Sequence, residues 1–243
     1  MTNLCIDIGN SSVKAAVFDS KGMTFHTRLE SHNLSELVPI AEQYNITRCI
    51  VSSTCGYTET DKVILQDICA NTIYFDGSTP IPIKNLYSTP ETLGPDRLAA
   101  AIGAYFEMQQ DLVIIDAGTA ITYDIVTSNG EYLGGNISPG TEMRLKALHD
   151  YTAKLPVVSE KGYLPQYGTD TETAIRCGVI HGISYEIQQF ICEMILKFPN
   201  LVVFLTGGDN IDFEENIKKR IFVDRYLVLK GLNIVLNNLA NGK

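Results

Sequence analysis

The chain predicts an α/β protein of two similar lobes, 1–109 and 110–243, and three observations carry that reading. A strand–turn–strand segment, Leu4-Cys5-Ile6-Asp7-Ile8-Gly9-Asn10-Ser11-Ser12-Val13-Lys14-Ala15-Ala16-Val17-Phe18, returns as Leu112-Val113-Ile114-Ile115-Asp116-Ala117-Gly118-Thr119-Ala120-Ile121-Thr122-Tyr123-Asp124-Ile125-Val126. One offset of 109 positions relates Asp7 to Asp116 and Gly9 to Gly118, and it sets Asn10 against Thr119. Each copy opens a run of three strands followed by alternating helices and strands, the order of an α/β lobe. Two acid-tipped turns facing each other would form a nucleotide cleft.

The first half is expected to hold strands near 3–9, 13–18 and 23–29, a helix near 34–44, a strand near 48–52 and a helix near 60–70. Its strand segments alternate or run apolar, whereas Leu34, Leu37, Val38 and Ala41 keep the spacing of one helix face. Pro80, Pro82 and Pro90 oppose a regular helix across the turn-rich loop 76–93, and Pro95 then opens a helix near 95–108. The second half should repeat the plan with strands near 112–116, 121–127 and 131–136 and a helix from Pro139 to about 149. Beyond an irregular stretch holding Pro156, Pro165 and Gly168, a long helix is expected over 171–197. Leu201 to Leu205 reads as a buried strand, and Gly231 as the residue before a final helix reaching about 240.

Bulk properties bound the partners. With 243 residues, 45% hydrophobic and 19% charged, the chain has the composition of a globular protein able to bury a substantial core. A net charge of −9 argues against unspecific binding to nucleic acid or an anionic membrane, so neither is expected as a partner. Asp7 interrupts the first apolar run and no stretch approaches a membrane span, so no secretory signal is expected and the location should be cytoplasmic. Cys5, Cys49, Cys55, Cys69, Cys177 and Cys192 form no Cys-x-x-Cys pair and read as reduced core residues. His26, His32, His149 and His181 lack ligand spacing with them, which argues against zinc.

The duplicated turn suggests phosphate chemistry. A Gly-bearing turn between strands aims backbone N–H groups into a concavity where phosphate oxygens can sit. An Asp at the strand end can carry a metal ion or its waters, and Lys14 adds positive charge near terminal phosphates. Either copy alone is equally a plain β-hairpin, and neither has the glycine spacing of a Walker loop or a dinucleotide fingerprint. Duplication tips the balance to a nucleotide site. Gly94-Pro95-Asp96-Arg97 stands where a loop enters a helix, so its backbone donors and Arg97 can hold an anion while Asp96 projects into the cleft, or Asp96 merely favours the helix dipole and Arg97 makes a surface ion pair. In Thr206-Gly207-Gly208-Asp209, after the buried strand, the glycines permit close approach to a base or ribose, or a turn with positive φ. Glu214 and Glu215 with Lys218, Lys219 and Arg220 have helical i to i+4 complementarity and read as a solvated face.

Six segments, by their chain order and spacing, resemble the type III pantothenate kinases, members of the actin, sugar-kinase and Hsp70 superfamily. They are the turns around Asp7–Lys14 and Asp116–Ala120, Gly94–Arg97, Gly134-Gly135-Asn136-Ile137-Ser138-Pro139-Gly140, Asp170-Thr171-Glu172-Thr173-Ala174-Ile175 and Thr206–Asp209. The resemblance implies ribonuclease H-like lobes and ATP-dependent phosphorylation of (R)-pantothenate to (R)-4′-phosphopantothenate, the first step of coenzyme A synthesis. It implies that Asp7, Ile8, Gly9, Asn10, Ser11, Ser12, Val13, Lys14 and Thr119 bind ATP with its Mg2+ or another divalent cation. It further implies that Tyr87, Gly94, Pro95, Asp96, Arg97 and Thr171 contact pantothenate, with Asp96 the general base, and that Asp116 binds a monovalent cation, K+ or NH4+. A homodimer is also implied, with the apolar helix face Ile175, Val179, Ile183 and Ile187 available either for that contact or for the core. Residue chemistry alone offers Thr171 as a helix cap, with Glu172 and Glu186 as solvated charges. Ser11 stands where Thr is commoner in the family and Asp170 where Asn is common. An idle regulatory relative, or a kinase of another polyol or sugar, is the competing reading.

Overall fold

The computed structural model describes residues 1–208 and 218–241, which divide into two compact units. The first comprises Met1–Gln109, Val126–Gly134 and Tyr226–Lys243, and the second Gln110–Ile125 with Gly135–Arg225.

In the first unit, strands β1 (Asn3–Ile8), β2 (Val13–Asp19), β3 (Gly22–Leu29), β4 (Arg48–Ser53) and β5 (Ile73–Tyr74) form one sheet in the order β3-β2-β1-β4-β5. β1 runs antiparallel to β2 and parallel to β4, so Asp7 lies opposite Lys14 on one side and Ser52 on the other. Strand alternation divides β1 between two faces. Leu4, Ile6 and Ile8 enter a core with Leu34, Leu37 and Ala41, from a short 3-10 turn and helix α1 (Val38–Gln43), and with Leu65 and Ile68 of α2 (Glu59–Ile68). Helix α2 starts on a reciprocal cap in which the Thr58 hydroxyl accepts from Asp61 N and the Asp61 carboxylate accepts from Thr58 N. Residues 34–44 are therefore a 3-10 turn running into a short helix, because Pro39 suits only a first turn.

The opposite face of β1 carries Asn3, Cys5 and Asp7. Helix α6 (Leu227–Asn241) is anchored there: Asn3 Nδ2 donates to Asn233 Oδ1 at 2.7 Å and to Asn237 Oδ1 at 3.0 Å. Arg48 on β4 closes the cluster, its Nε donating to Asn3 Oδ1 at 2.9 Å and its Nη1 to the Leu236 carbonyl at 3.4 Å. Helix α3 (Pro95–Glu107) packs on α6 with almost no side chain between the two backbones. A Cβ on Gly231 would stand 1.8 Å from the Ala99 carbonyl oxygen, and one on Gly103 would stand 2.3 Å from that of Leu227. Gly231 thus lies inside the last helix, which starts at Leu227 rather than beyond Gly231 as the sequence predicted. Tertiary contact overrode the glycine's low helix propensity.

A second sheet, mostly in the second unit, runs β11 (Ile221–Val223), β10 (Val202–Gly207), β7 (Leu112–Ala117), β8 (Ala120–Val126), β9 (Glu131–Pro139), with a sixth strand beyond β9. Helices α4 (Thr141–Asp150) and α5 (Thr171–Lys197) pack against it. Ile175, Val179, Ile183 and Ile187 of α5 are buried with Val113, Ile115, Val203 and Leu205, so that helix face serves the core of its own unit and is unavailable for a dimer contact. Pro139 ends β9 instead of opening a helix, and α4 begins at Thr141. At its start, β9 pairs with β6 (Lys84–Asn85), Lys84 opposite Glu131, within the first unit. Of the cysteines, Cys5, Cys49 and Cys177 are buried and Cys69 half-buried, while Cys55 and Cys192 are exposed, which corrects their reading as core residues. All six are unpaired, and no helix among the described residues is long and apolar enough to cross a membrane.

Candidate active site

The turn Gly9–Ser12 joins β1 to β2 and is closed by Gly9 N donating to the Ser12 carbonyl at 3.1 Å. It holds Asn10 and Ser11 exposed and Ser12 buried. Ile8 and Val13, the strand residues flanking it, are core side chains, so they can present only backbone to a ligand. Asp7 is 7% exposed at the mouth of the hairpin, and Ser52 Oγ donates to its Oδ1 at 2.9 Å. His32 Nε2 lies 2.8 Å from the Gly9 carbonyl; since a carbonyl only accepts, this is the protonated ring nitrogen. Sequence reasoning missed both supports. The run Ser52-Ser53-Thr54 at the end of an apolar strand was the available signal for the first, and nothing local announced His32.

Helix α3 supplies the next group. Pro95 occupies its first turn, where the missing N–H costs nothing, and Asp96 stands in the favourable field of the helix N-terminus. Asp96 Oδ1 accepts from Arg97 N at 2.9 Å, folding the carboxylate back over the helix start. That fold uses the space above Gly94, where a Cβ would lie 2.6 Å from Asp96 Oδ1. Burial lifts the Asp96 carboxyl above the usual aspartate value, against the opposing effects of the Arg97 N–H, the Arg97 guanidinium and the positive charge of Lys14. Lys14 and Asp96 therefore sense each other, which links the first hairpin to the Gly94–Arg97 segment. Arg97 is buried, and its guanidinium carbon stands 6.0 Å from the centre of the Tyr87 ring, a cation–π spacing. Tyr87 also lies against Gly134, where a Cβ would come within 3.1 Å of the ring. Asp7, Lys14, Tyr87, Gly94, Pro95, Asp96 and Arg97 all belong to the first unit.

Asp116, Thr119 and Thr171 belong to the second. Asp116 closes β7 opposite Thr206 of the parallel strand β10, an acid–hydroxyl register that repeats Asp7 opposite Ser52. The turn that follows carries Thr119, whose carbonyl accepts from Gly140 N at 3.1 Å. Gly207 has φ +99 and packs on the Ala117 carbonyl, so the glycine after Thr206 serves the backbone directly. Asp209, Glu214 and Glu215 lie outside the described residues. Thr171 is exposed at the first position of α5, and the capping task falls to Asp170, whose Oδ1 accepts from Thr173 N at 2.9 Å.

Glu172 and Glu186 are not merely solvated. Glu172 pairs with buried Arg176, which also donates to the carbonyls of Ser159 and Tyr163 and so fastens the irregular stretch 151–168 to α5. Glu186 accepts from the Tyr123 hydroxyl at 2.7 Å and from Arg144 Nη2 at 2.6 Å. Burial alone would raise the Glu186 carboxyl, but hydrogen bonds from Ser138, Arg144 and Tyr123 hold it below the usual glutamate value. These side chains line a concavity of about 860 Å³ with Asn136, Ile137 and Phe190.

No group of three or more His, Cys, Asp or Glu side chains capable of enclosing a metal occurs among the described residues. A magnesium ion keeps several waters and takes one or two carboxylates plus phosphate oxygens. The Asp7 carboxylate at the mouth of the first hairpin has that donor chemistry.

Known proteins share this fold. A solved MreB5 from Spiroplasma citri, bound to ADP, has 13% identity and a TM-score of 0.53 over 99% of this chain and 98% of its own, a likeness of fold alone. A Baf family protein from Campylobacter jejuni, named as a transcriptional activator, has 25% identity and a TM-score of 0.60 over 98% of this chain and 99% of its own. The type III pantothenate kinase of Bacteroides fragilis is 48% identical over 236 residues, 97% of either chain. Residues 3–193, which hold both hairpins, Gly94–Arg97 and Thr171, match the family model for type III pantothenate kinase. With a duplicated acid-tipped turn, a relative 48% identical over 97% of its length and the family-model match over residues 3–193, this chain belongs to the type III pantothenate kinase family.

Proposed function

We infer that this chain transfers the terminal phosphoryl group of ATP to the primary hydroxyl of (R)-pantothenate, giving (R)-4′-phosphopantothenate, the first step of coenzyme A synthesis. The observation that carries the reading is Asp96: a half-buried carboxylate with a raised pKa, at a helix start beside Arg97 and in the field of Lys14, in a chain of this family. A base for an alcohol should have a proton affinity nearer to working pH than an ordinary aspartate has.

Asp96 orients the pantothenate hydroxyl and takes its proton as the oxygen attacks the phosphorus. Tyr87, Gly94, Pro95, Arg97 and Thr171 bind the rest of pantothenate, with Arg97 suited to its carboxylate. Backbone donors of the turn Asn10–Ser12, with the side chains of Asn10, Ser11, Ser12, Lys14 and Thr119, hold the phosphates, and Lys14 offsets the charge that develops on them. Asp7 would hold the divalent cation, which when bound supplies charge neutralisation at the phosphates. Asp116 would hold a monovalent cation, K+ or NH4+. Positioning and charge stabilisation carry most of the acceleration, as phosphoryl transfer requires.

A homodimer in the cytoplasm belongs to the same reading. The second unit exposes many large apolar side chains, Ile137, Tyr163, Tyr167 and Tyr185 among them, in keeping with self-association, and a fully active monomer by light scattering would contradict it. The test of function is a coupled ATP assay over a panel of pantothenate, sugars and polyols. Pantothenate-dependent turnover is expected, and Asp96→Asn should lower it by roughly 10² to 10⁴. ATP use with a sugar alone would overturn the substrate, and no turnover with any acceptor would favour an idle regulatory relative. Keeping Asp7, Lys14, Asp96 and Asp116 argues against the latter.

A further inference from the structure

The carboxylate assigned to the divalent cation does not stand alone. Ser52 is 0% exposed, and its hydroxyl donates to Asp7 Oδ1 at 2.9 Å from the neighbouring parallel strand. The two residues are direct partners in the β1–β4 register, so the bond is set by the sheet rather than by a mobile loop. A carboxylate on one staggered χ1 still has a broad χ2, and a hydrogen bond to one oxygen is what selects the plane of the group. The second unit repeats the juxtaposition with Thr206 opposite Asp116, also on a parallel neighbour and also buried, at 4% exposure. The offset that relates Asp7 to Asp116 does not relate Ser52 to Thr206, so this pairing belongs to the sheets and not to the repeated hairpin.

We propose that Ser52 is a positioning residue for metal–nucleotide binding: its hydroxyl orients the Asp7 carboxylate toward the divalent cation carried by ATP. The proposal rests on the assignment of Asp7 given above. Outer-shell partners of this kind usually change metal affinity or activity by about 10- to 100-fold when removed. Ser52 would touch neither substrate nor metal, so its loss should act through metal dependence and leave the handling of pantothenate alone.

The experiment compares Ser52→Ala, Ser52→Thr and Asp7→Asn by fluorescent ATP-analogue binding with and without Mg2+, by Mn2+ binding to the ATP complex in electron paramagnetic resonance, and by turnover. For Ser52→Ala the expected result is affinity for the metal–nucleotide complex lowered about tenfold, with metal-free nucleotide binding and the pantothenate KM unchanged. Ser52→Thr keeps the donor and should recover most of the loss. Binding by Ser52→Ala equal to wild type, while Asp7→Asn loses it, overturns the role of Ser52 and leaves Asp7 standing. Wild-type metal dependence in Asp7→Asn overturns the Asp7 assignment and Ser52's role with it. Equal loss of metal-bound and metal-free binding in Ser52→Ala means a merely structural serine and also overturns the proposal.

Discussion

Replacing Gly231 by alanine tests the contact that positions α3, and through it Asp96. The new Cβ would stand 1.8 Å from the Ala99 carbonyl oxygen and 3.0 Å from Gly103 N, whereas ordinary contact begins near 3.4 Å. Backbone is what it meets, so no rotamer change relieves the clash and the helices must separate by more than about 1 Å. Alanine would add roughly 1 kcal/mol of helix propensity, but overpacking of this kind costs about 1–3 kcal/mol and here lies at the upper end. A net loss of about 2 kcal/mol should lower the melting temperature by roughly 4–8 °C in a chain of this size. Because α3 carries Asp96 in its first turn, kcat should fall while nucleotide affinity at the β1–β2 turn changes little. Calorimetry and steady-state kinetics read the two effects separately. A melting temperature equal to or above wild type would refute the close approach, and unchanged kcat in a destabilised variant would refute the link from α6 to the base.

The Asp96→Asn variant should combine its rate loss with a higher melting temperature at neutral pH. The folded carboxyl has a raised pKa, so its ionisation opposes folding increasingly as pH rises from the unfolded to the folded value, and the amide removes that cost. In the wild type, the acid limb of kcat/KM should lie above the ordinary aspartate value, and a limb at or below it would deny Asp96 the base role. Arg48→Ala leaves Asn3 and Asn237 without their guanidinium partner and should cost about 2 kcal/mol, read as a lower denaturant midpoint. Glu186→Gln should destabilise the protein at neutral pH, with the difference vanishing on acidification. The carboxylate's contribution is full above its unfolded pKa and is lost as pH falls through the depressed folded value. A difference that stays constant through that window would refute the network.

Local pattern was legible wherever one face of an element is buried. Apolar runs or alternation marked β1, β2, β7 and β8, and α5 runs over 171–197 as expected, because its core face repeats with helical period. Pro95 and the acid behind it marked the start of α3, since both residues suit a helix N-terminus. The two-residue strands β5 and β6 were not legible, for a short edge pairing leaves no period to read. Gly231 misled for a related reason: glycine signals a break locally, and only the partner helix α3 explains it mid-helix. The same holds at the site. Asp7, Lys14 and Asp96 stood out by motif, whereas Ser52 and His32 act through contacts 45 and 23 residues away in sequence.

Duplication explains the geometry of the two acid-tipped turns but not their chemistry, which diverged at equivalent positions. Lys14 of the first copy corresponds to Tyr123 of the second. Lys14 sits half-exposed opposite Asp7 and contributes positive charge near Asp96, whereas Tyr123 is 2% exposed and spends its hydroxyl on Glu186. A cation in the first turn suits a polyphosphate, and a neutral ring in the second leaves Asp116 without that competing charge on its own hairpin. An aspartate there can then serve a cation of its own. The shared strand plan therefore supplies two carboxylates at comparable strand ends, and the exchange of one lysine for one tyrosine gives the two turns different local charge, as the proposed phosphate and cation roles require.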